Sequence, residues 1–228
     1  MTTAARLALP LLLFAGLTHA QPLDVLFVVE TSPGSEHATD LVRAKFLADG
    51  DRAGVVAFHH SAETLEPLTA DQRKVEAALQ EAGARAGGAL NTQGTILRDP
   101  RSTAAIASAI RKACAAFPPD TEPGRKRAIV LLFGSEDPQL AAQHGALEGL
   151  LASSGARLFA VAVQRADPIV PQARHSNPIP QSTPRRNPVY GFPALAAQLV
   201  GQLAKASDGE IHKRAWNLKK ILAIARRS

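Results

Sequence analysis

The sequence predicts an α/β domain built on a doubly wound, mainly parallel sheet with helices on both faces. Three observations carry this reading. Nearly continuous apolar runs of strand length occur at Leu23 to Val29, Arg127 to Phe133 and Arg157 to Val163, and a strand covered by helices on both sides needs such runs. These runs alternate with segments of helical apolar spacing, so successive strands are joined by crossovers and emerge parallel. The third is composition. With 46% hydrophobic and 20% charged residues over 228 positions, the chain has a globular balance and the length for one sizeable core.

The elements follow in order. Leu23 to Val29 is the first strand, broken by Pro33-Gly34. Ser35 to Ala48 then carries Ala38, Leu41, Val42 and Leu47 near helical spacing. Asp49-Gly50-Asp51 turns into a second strand, Ala53 to Phe58, and Glu63 to Leu68 is a weaker third. Thr69-Ala70-Asp71-Gln72 matches a capping box, in which the threonine hydroxyl and glutamine amide would satisfy helix-end donors. The helix it opens is expected to stop near Gly83, ahead of a glycine-rich loop to Gly94. A helical stretch continues to Phe117, interrupted near its start by Pro100. Arg127 to Phe133 is the central strand, Pro138 begins a helix that ends at Gly155, and Arg157 to Val163 is the next buried strand. Asp167 to Pro193 holds seven prolines and reads as an extended loop. Ala194 to Ala206 returns to helix, Asp208-Gly209 turns, Glu210 to His212 is a short edge strand, and Trp216 to Arg226 closes the chain as a helix.

The first twenty residues read differently from the rest. A basic stretch ending at Arg6, an apolar run from Leu7 to Leu17 and the sequence Thr18-His19-Ala20 have the layout of a signal peptide. Residues 1–20 are therefore expected to be removed, leaving a single domain over 21–228 that is secreted or periplasmic in a bacterium. N-terminal sequencing of the exported protein is expected to begin at Gln21; recovery of the intact chain in the membrane would contradict this. No cysteine follows the apolar run, so a lipid anchor there is not expected. Cys114 is the only cysteine, which excludes an intrachain disulfide. It continues the Ile106, Ile110, Ala113, Phe117 face of a helix and reads as an inert core thiol.

The net charge of +6 is unevenly spread. Residues 21–164 hold 14 basic and 17 acidic side chains, a balance of −3, whereas 165–228 hold 11 and 3, a balance of +8. A basic end favours an acidic partner or weak contact with an anionic surface. Export argues against nucleic acid.

Asp24-Val25-Leu26-Phe27-Val28-Val29-Glu30-Thr31-Ser32, Asp51 to Phe58, Gly94-Thr95-Ile96-Leu97 and Arg127 to Leu132 resemble four successive segments of a von Willebrand factor type A (VWA) domain. Leu158 to Val163 and Ala206 to Glu210 fall where that family has its last strands. The resemblance spans nearly the whole mature chain and implies a Rossmann-like sheet and a protein-binding role. It also implies where a partner would dock: a metal-ion-dependent adhesion site with the pattern Asp-x-Ser-x-Ser after the first strand, a threonine in a later loop and an aspartate ending the central strand.

This chain departs from that pattern. Glu30 replaces the first aspartate, Ser32 and Thr95 fit, Gly34 takes the second serine's place with Ser35 one residue late, and Gly134 stands where the central aspartate belongs. The resemblance thus implies a degenerate partner-binding site of Glu30, Ser32, Ser35, Thr95, Glu136 and Asp137. Ser32, Thr95 and Glu30 would be the remaining ligands if Mg²⁺ or Mn²⁺ bound, and the expectation is that no cofactor is needed. No catalytic residue is expected: Gly134-Ser135-Glu136 is not a glycine-flanked serine elbow, and no phosphate loop or His-Glu-x-x-His motif occurs. His59-His60 reads as a strand pair whose rings point apart. Leu218, Ile221, Leu222 and Ala225 form an apolar stripe beside Lys219, Lys220, Arg226 and Arg227. That stripe packs on the sheet with solvated charges, or lies on an anionic membrane as part of an envelope scaffold. Arg185-Arg186 reads as a solvated pair.

Overall fold

The computed structural model describes residues 21–31, 46–87, 105–119, 124–163, 193–212 and 217–227. The leader, the expected helix from Ser35 as far as Lys45, the loop carrying Thr95, the proline-rich stretch with Arg185-Arg186 as far as Phe192, and Trp216 lie outside these residues, while Phe46 to Ala48, expected as the end of that helix, are not helical.

The described chain runs β1 (Leu23–Glu30), β2 (Arg52–Phe58), β3 (Ala62–Thr69), α1 (Gln72–Gly87), α2 (Ile106–Ala116), β4 (Lys126–Phe133), α3 (Leu140–Ser154), β5 (Ala156–Ala162), α4 (Ala194–Ala206), β6 (Ile211–His212) and α5 (Leu218–Arg226). One six-stranded sheet has the order β3-β2-β1-β4-β5-β6. Every pairing is parallel except that of β3 with β2. The order reverses between β1 and β4, and in open α/β sheets that switch point is where the carboxyl ends of two strands leave a crevice.

All eight residues of β1 are buried, as a central strand covered on both sides must be. Alternation decides which layer each side chain joins. Leu26 and Val28 of β1, Ile129 and Leu131 of β4 and Leu158 of β5 face α2, α3 and α4. Val25 and Phe27, Val130 and Phe159 face α1 and α5 on the other side. The predicted face of α2 is buried as expected, with Ile106, Ile110, Ala113, Cys114 and Phe117 all in the first of these layers. Burial pushes the Cys114 thiol up, against the opposing hydrogen bond from Ser154, so thiolate is scarce there.

Several local expectations are corrected. The capping box does not form, because α1 starts at Gln72 and leaves Thr69 two residues ahead of the cap position, where its hydroxyl accepts from the Asp71 amide. Asp71 caps α1 instead, its Oδ1 accepting from the Arg73 amide at 3.0 Å, while the Gln72 amide donates to Glu76. Gly83 does not stop this helix, which continues to Gly87. The α3 helix starts at Leu140 rather than Pro138 but ends as expected at Gly155, whose φ of 63° suits glycine. Gly209 is required by proximity: a Cβ there would lie 1.8 Å from the Leu158 carbonyl oxygen.

Whereas α1 follows antiparallel β3 and runs the other way, parallel crossovers align α2 to α5, so their carboxyl ends gather at the amino end of the sheet. Arginines meet them there. Arg127 donates to the carbonyls of Ser154, at the end of α3, and Pro118, just past α2. Arg157 donates to Asp208 after α4 and to Ile224 in the last turn of α5. Cations so placed satisfy open carbonyls and oppose the helix dipoles. Two buried carboxylates sit among these cations. Asp24 pairs with Arg52 at 2.7 Å and with Arg125 at 3.0 Å. Asp51 accepts from the amides of Leu23 and Ala48 and pairs with Arg226.

The α5 stripe is packed against the sheet, with Ile221, Leu222 and Ala225 buried and Leu218 partly so. Its charges are not all solvated, since Arg226 is bound to Asp51. No helix among the described residues is long and apolar enough to cross a membrane.

Candidate functional site

The carboxyl end of the sheet gathers the amino ends of the same helices, and each leaves backbone amides without an intrahelical acceptor. Neither α2 nor α4 brings its own cap: Ala105 and Pro193 occupy their cap positions and no cap side chain bonds there. Acceptors must come from elsewhere in the chain. The turn after β4 supplies them. Asp137 Oδ2 accepts from the Ala107 amide at 3.0 Å and so caps α2, while Oδ1 accepts from Gln139 at 2.9 Å at the start of α3. Glu136 accepts from Leu195 and Ala196 at 3.1 and 2.8 Å and so caps α4.

Glu30 completes the arrangement from the end of β1. It is 1% exposed, which for an ionisable carboxylate demands compensation. The compensation is three donors from the β4–α3 turn. Oε2 accepts from the amides of Gly134 and Ser135 at 2.6 and 3.1 Å, and Oε1 accepts from the Ser135 hydroxyl. The extra methylene relative to aspartate gives Glu30 the reach to bridge two neighbouring strand ends. Beside it, the Thr31 amide and hydroxyl both donate to the Phe58 carbonyl, fastening the end of β1 to β2.

Three of the six residues expected to form the site, Glu30, Glu136 and Asp137, therefore surround one turn. Ser32, Ser35 and Thr95 lie outside the described residues. What the three carboxylates share is that each accepts from backbone amides. A hard divalent cation needs free oxygen acceptors in a near-octahedral array. At the described positions the donor set does not fit: Gly134 offers an N–H where a carboxylate oxygen would be required, and that N–H holds Glu30.

The histidine pair departs from its expectation. His59 and His60 follow the end of β2 in a bend, free of strand alternation, and their rings stack with centroids 3.9 Å apart. The His59 carbonyl accepts from the Ala105 amide at the start of α2. Sequence reading missed the role of Glu136 and Asp137 as distant caps. The available signal was indirect: helices opening at Ala105 and Pro193 carry no local capping residue.

Fold comparison agrees with this topology. The von Willebrand factor type A domain of SpRpn10 is 11% identical and matches with a TM-score of 0.52, over 91% of this chain and 98% of that one. The chain has the VWA fold. An aerotolerance-related membrane protein of Bacteroides fragilis, solved with multiple mutations to serine, is 20% identical with a TM-score of 0.53, over 89% of this chain and 96% of that one. The conserved hypothetical protein BatB of Bacteroides thetaiotaomicron is 18% identical with a TM-score of 0.52, over 89% and 95%. No family model matches the sequence, and no curated protein does. On this VWA fold, Glu30 and the β4–α3 turn occupy the ends of the two central strands, at the switch point of the sheet.

Proposed function

We propose that the chain is an exported, non-enzymatic protein-interaction module of VWA type whose binding face works without a metal ion. One observation carries the reading: the Glu30 carboxylate accepts from Gly134, Ser135 and the Ser135 hydroxyl. In this reading, hydrogen bonds between the ends of β1 and β4 replace the cross-link that a cation would provide. The capping of α2 and α4 by Asp137 and Glu136 supports it, because both carboxylates stabilise the rim of the face. Contact with an anionic membrane through α5 is the weaker reading, since the apolar side of that helix is in the core.

Millimolar Mg²⁺ or Mn²⁺ is expected to leave the melting temperature of the mature protein unchanged. A cation present at 100 times its dissociation constant would add about 2.7 kcal/mol and be plain in a thermal scan. The paired variant Glu30→Asp with Gly134→Asp restores two carboxylates of the adhesion pattern and is expected to gain a Mg²⁺-dependent shift. A clear shift in the unaltered protein, abolished by Thr95→Ala, would replace this reading with a working metal-dependent site.

A further inference from the structure

The chain holds two Asp-Gly pairs, Asp49-Gly50 and Asp208-Gly209, each in a turn ahead of a strand. Such pairs are open to isomerisation, because glycine has no Cβ to shield its amide and adapts its backbone freely. The glycine nitrogen attacks the protonated side-chain carboxyl carbon, a C–N bond forms, and the amide proton and carboxyl hydroxyl leave as water. Water then opens the succinimide at either carbonyl. Opening at the main-chain carbonyl gives isoaspartate, which routes the backbone through the side chain, lengthens it by one methylene and leaves the mass unchanged.

Ring closure needs a glycine N–H free of other acceptors and a peptide able to turn. The two pairs differ on both counts. Gly209 donates to the Ala204 carbonyl at 2.7 Å, and the Asp208 carbonyl accepts from Arg157 Nε at 2.7 Å. The flanking Ser207 hydroxyl and Glu210 carbonyl accept from the Leu158 and Ala160 amides, which ties this turn to β5. Isomerisation there has to break these bonds. Asp49 and Gly50, in contrast, are both exposed. Among the described residues neither the Asp49 carboxylate nor the Gly50 N–H has a hydrogen-bond partner. Gly50 also has space, since a Cβ there would meet only Pro22, at 3.6 Å.

We infer that Asp49 is a site of isoaspartate formation in the folded protein and that its conversion loosens α5 from the sheet. The link is the neighbouring Asp51. Its amide closes the turn on the Ala48 carbonyl at 3.1 Å, and its carboxylate accepts from Leu23 and Ala48 and binds Arg226 of α5. The Gly50 carbonyl accepts from Arg125 at 2.8 Å. A longer backbone at Asp49 displaces these acceptors, and hydrogen bonds weaken steeply away from good geometry.

The test holds the mature chain warm at neutral pH for several weeks, folded and in urea. Peptide mapping with electron-transfer fragmentation, which distinguishes isoaspartate from aspartate, follows both pairs. In the folded protein Asp49 is expected to convert at least tenfold faster than Asp208, and in urea the two are expected to convert alike. Equal rates in the folded protein, or a difference that persists in urea, would overturn the assignment of the site by the fold. The aged protein is expected to melt at a lower temperature and to exchange its α5 amides faster. Asp49→Glu, which lacks the five-membered ring closure, is expected to age without either change. Isoaspartate at residue 49 with unchanged α5 exchange, or equal loosening of Asp49→Glu on ageing, would overturn the link to α5.

Discussion

Asp51→Ala is expected to lower the unfolding free energy by about 3–5 kcal/mol, the range found when one member of a buried charged pair is removed. Asp51 is 3% exposed and joins three parts of the chain. Its oxygens accept from Leu23 at the start of β1 and from Ala48 ahead of β2, and bind Arg226 near the end of α5. Alanine leaves two amides and a guanidinium without their acceptor. Arg226→Ala is expected to cost less, about 1–2 kcal/mol, because Asp51 keeps both amides. Urea unfolding of the two single variants and the double variant gives their coupling energy, expected to be at least about 1 kcal/mol. Amide hydrogen exchange supplies the structural readout, with the α5 amides losing protection first. Additive single losses would show that Asp51 does not hold α5.

The second large effect belongs to Glu30. Glu30→Ala is expected to cost about 3 kcal/mol, since hydrogen bonds to a charged group contribute about 1.5–3 kcal/mol each and the losses overlap. Glu30→Gln keeps an acceptor oxygen of the same reach and is expected to cost about 1 kcal/mol. The measurement is equilibrium unfolding at neutral pH, with an unchanged denaturant slope showing that the unfolded state is the same. A loss below about 0.5 kcal/mol for alanine would place Glu30 among ordinary surface residues. Retained stability with lost partner binding would instead assign Glu30 to recognition alone.

These two residues also mark how far the sequence could be read. The core strands were legible because β1, β4 and β5 are buried on both faces, and burial on both faces leaves an uninterrupted apolar run. The expected limits of α4, Ala194 to Ala206, match the structure, as does the end of α3 at Gly155. At Thr69 a local motif was overruled. Pairing with Ala53 keeps Thr69 in β3, so α1 opens only at Gln72 and the Thr69 hydroxyl accepts from the Asp71 amide in the turn instead of from the helix end.

The α/β class, the positions of the central strands and the buried face of α2 were readable from the sequence alone. The sequence contained the acids and arginines of both sheet ends without saying what they bind. Asp137 caps α2 from 30 residues away, and Glu136 caps α4 from 60. Glu30 reaches Gly134 across 104 residues, and Arg226 reaches Asp51 across 175. Capping preferences describe neighbours along a helix, whereas these partners meet only once parallel crossovers have stacked α2 to α5 in one direction. That common direction gathers open amides at one end of the sheet and open carbonyls at the other. In the folded chain Glu30, Glu136 and Asp137 all serve as acceptors for backbone amides.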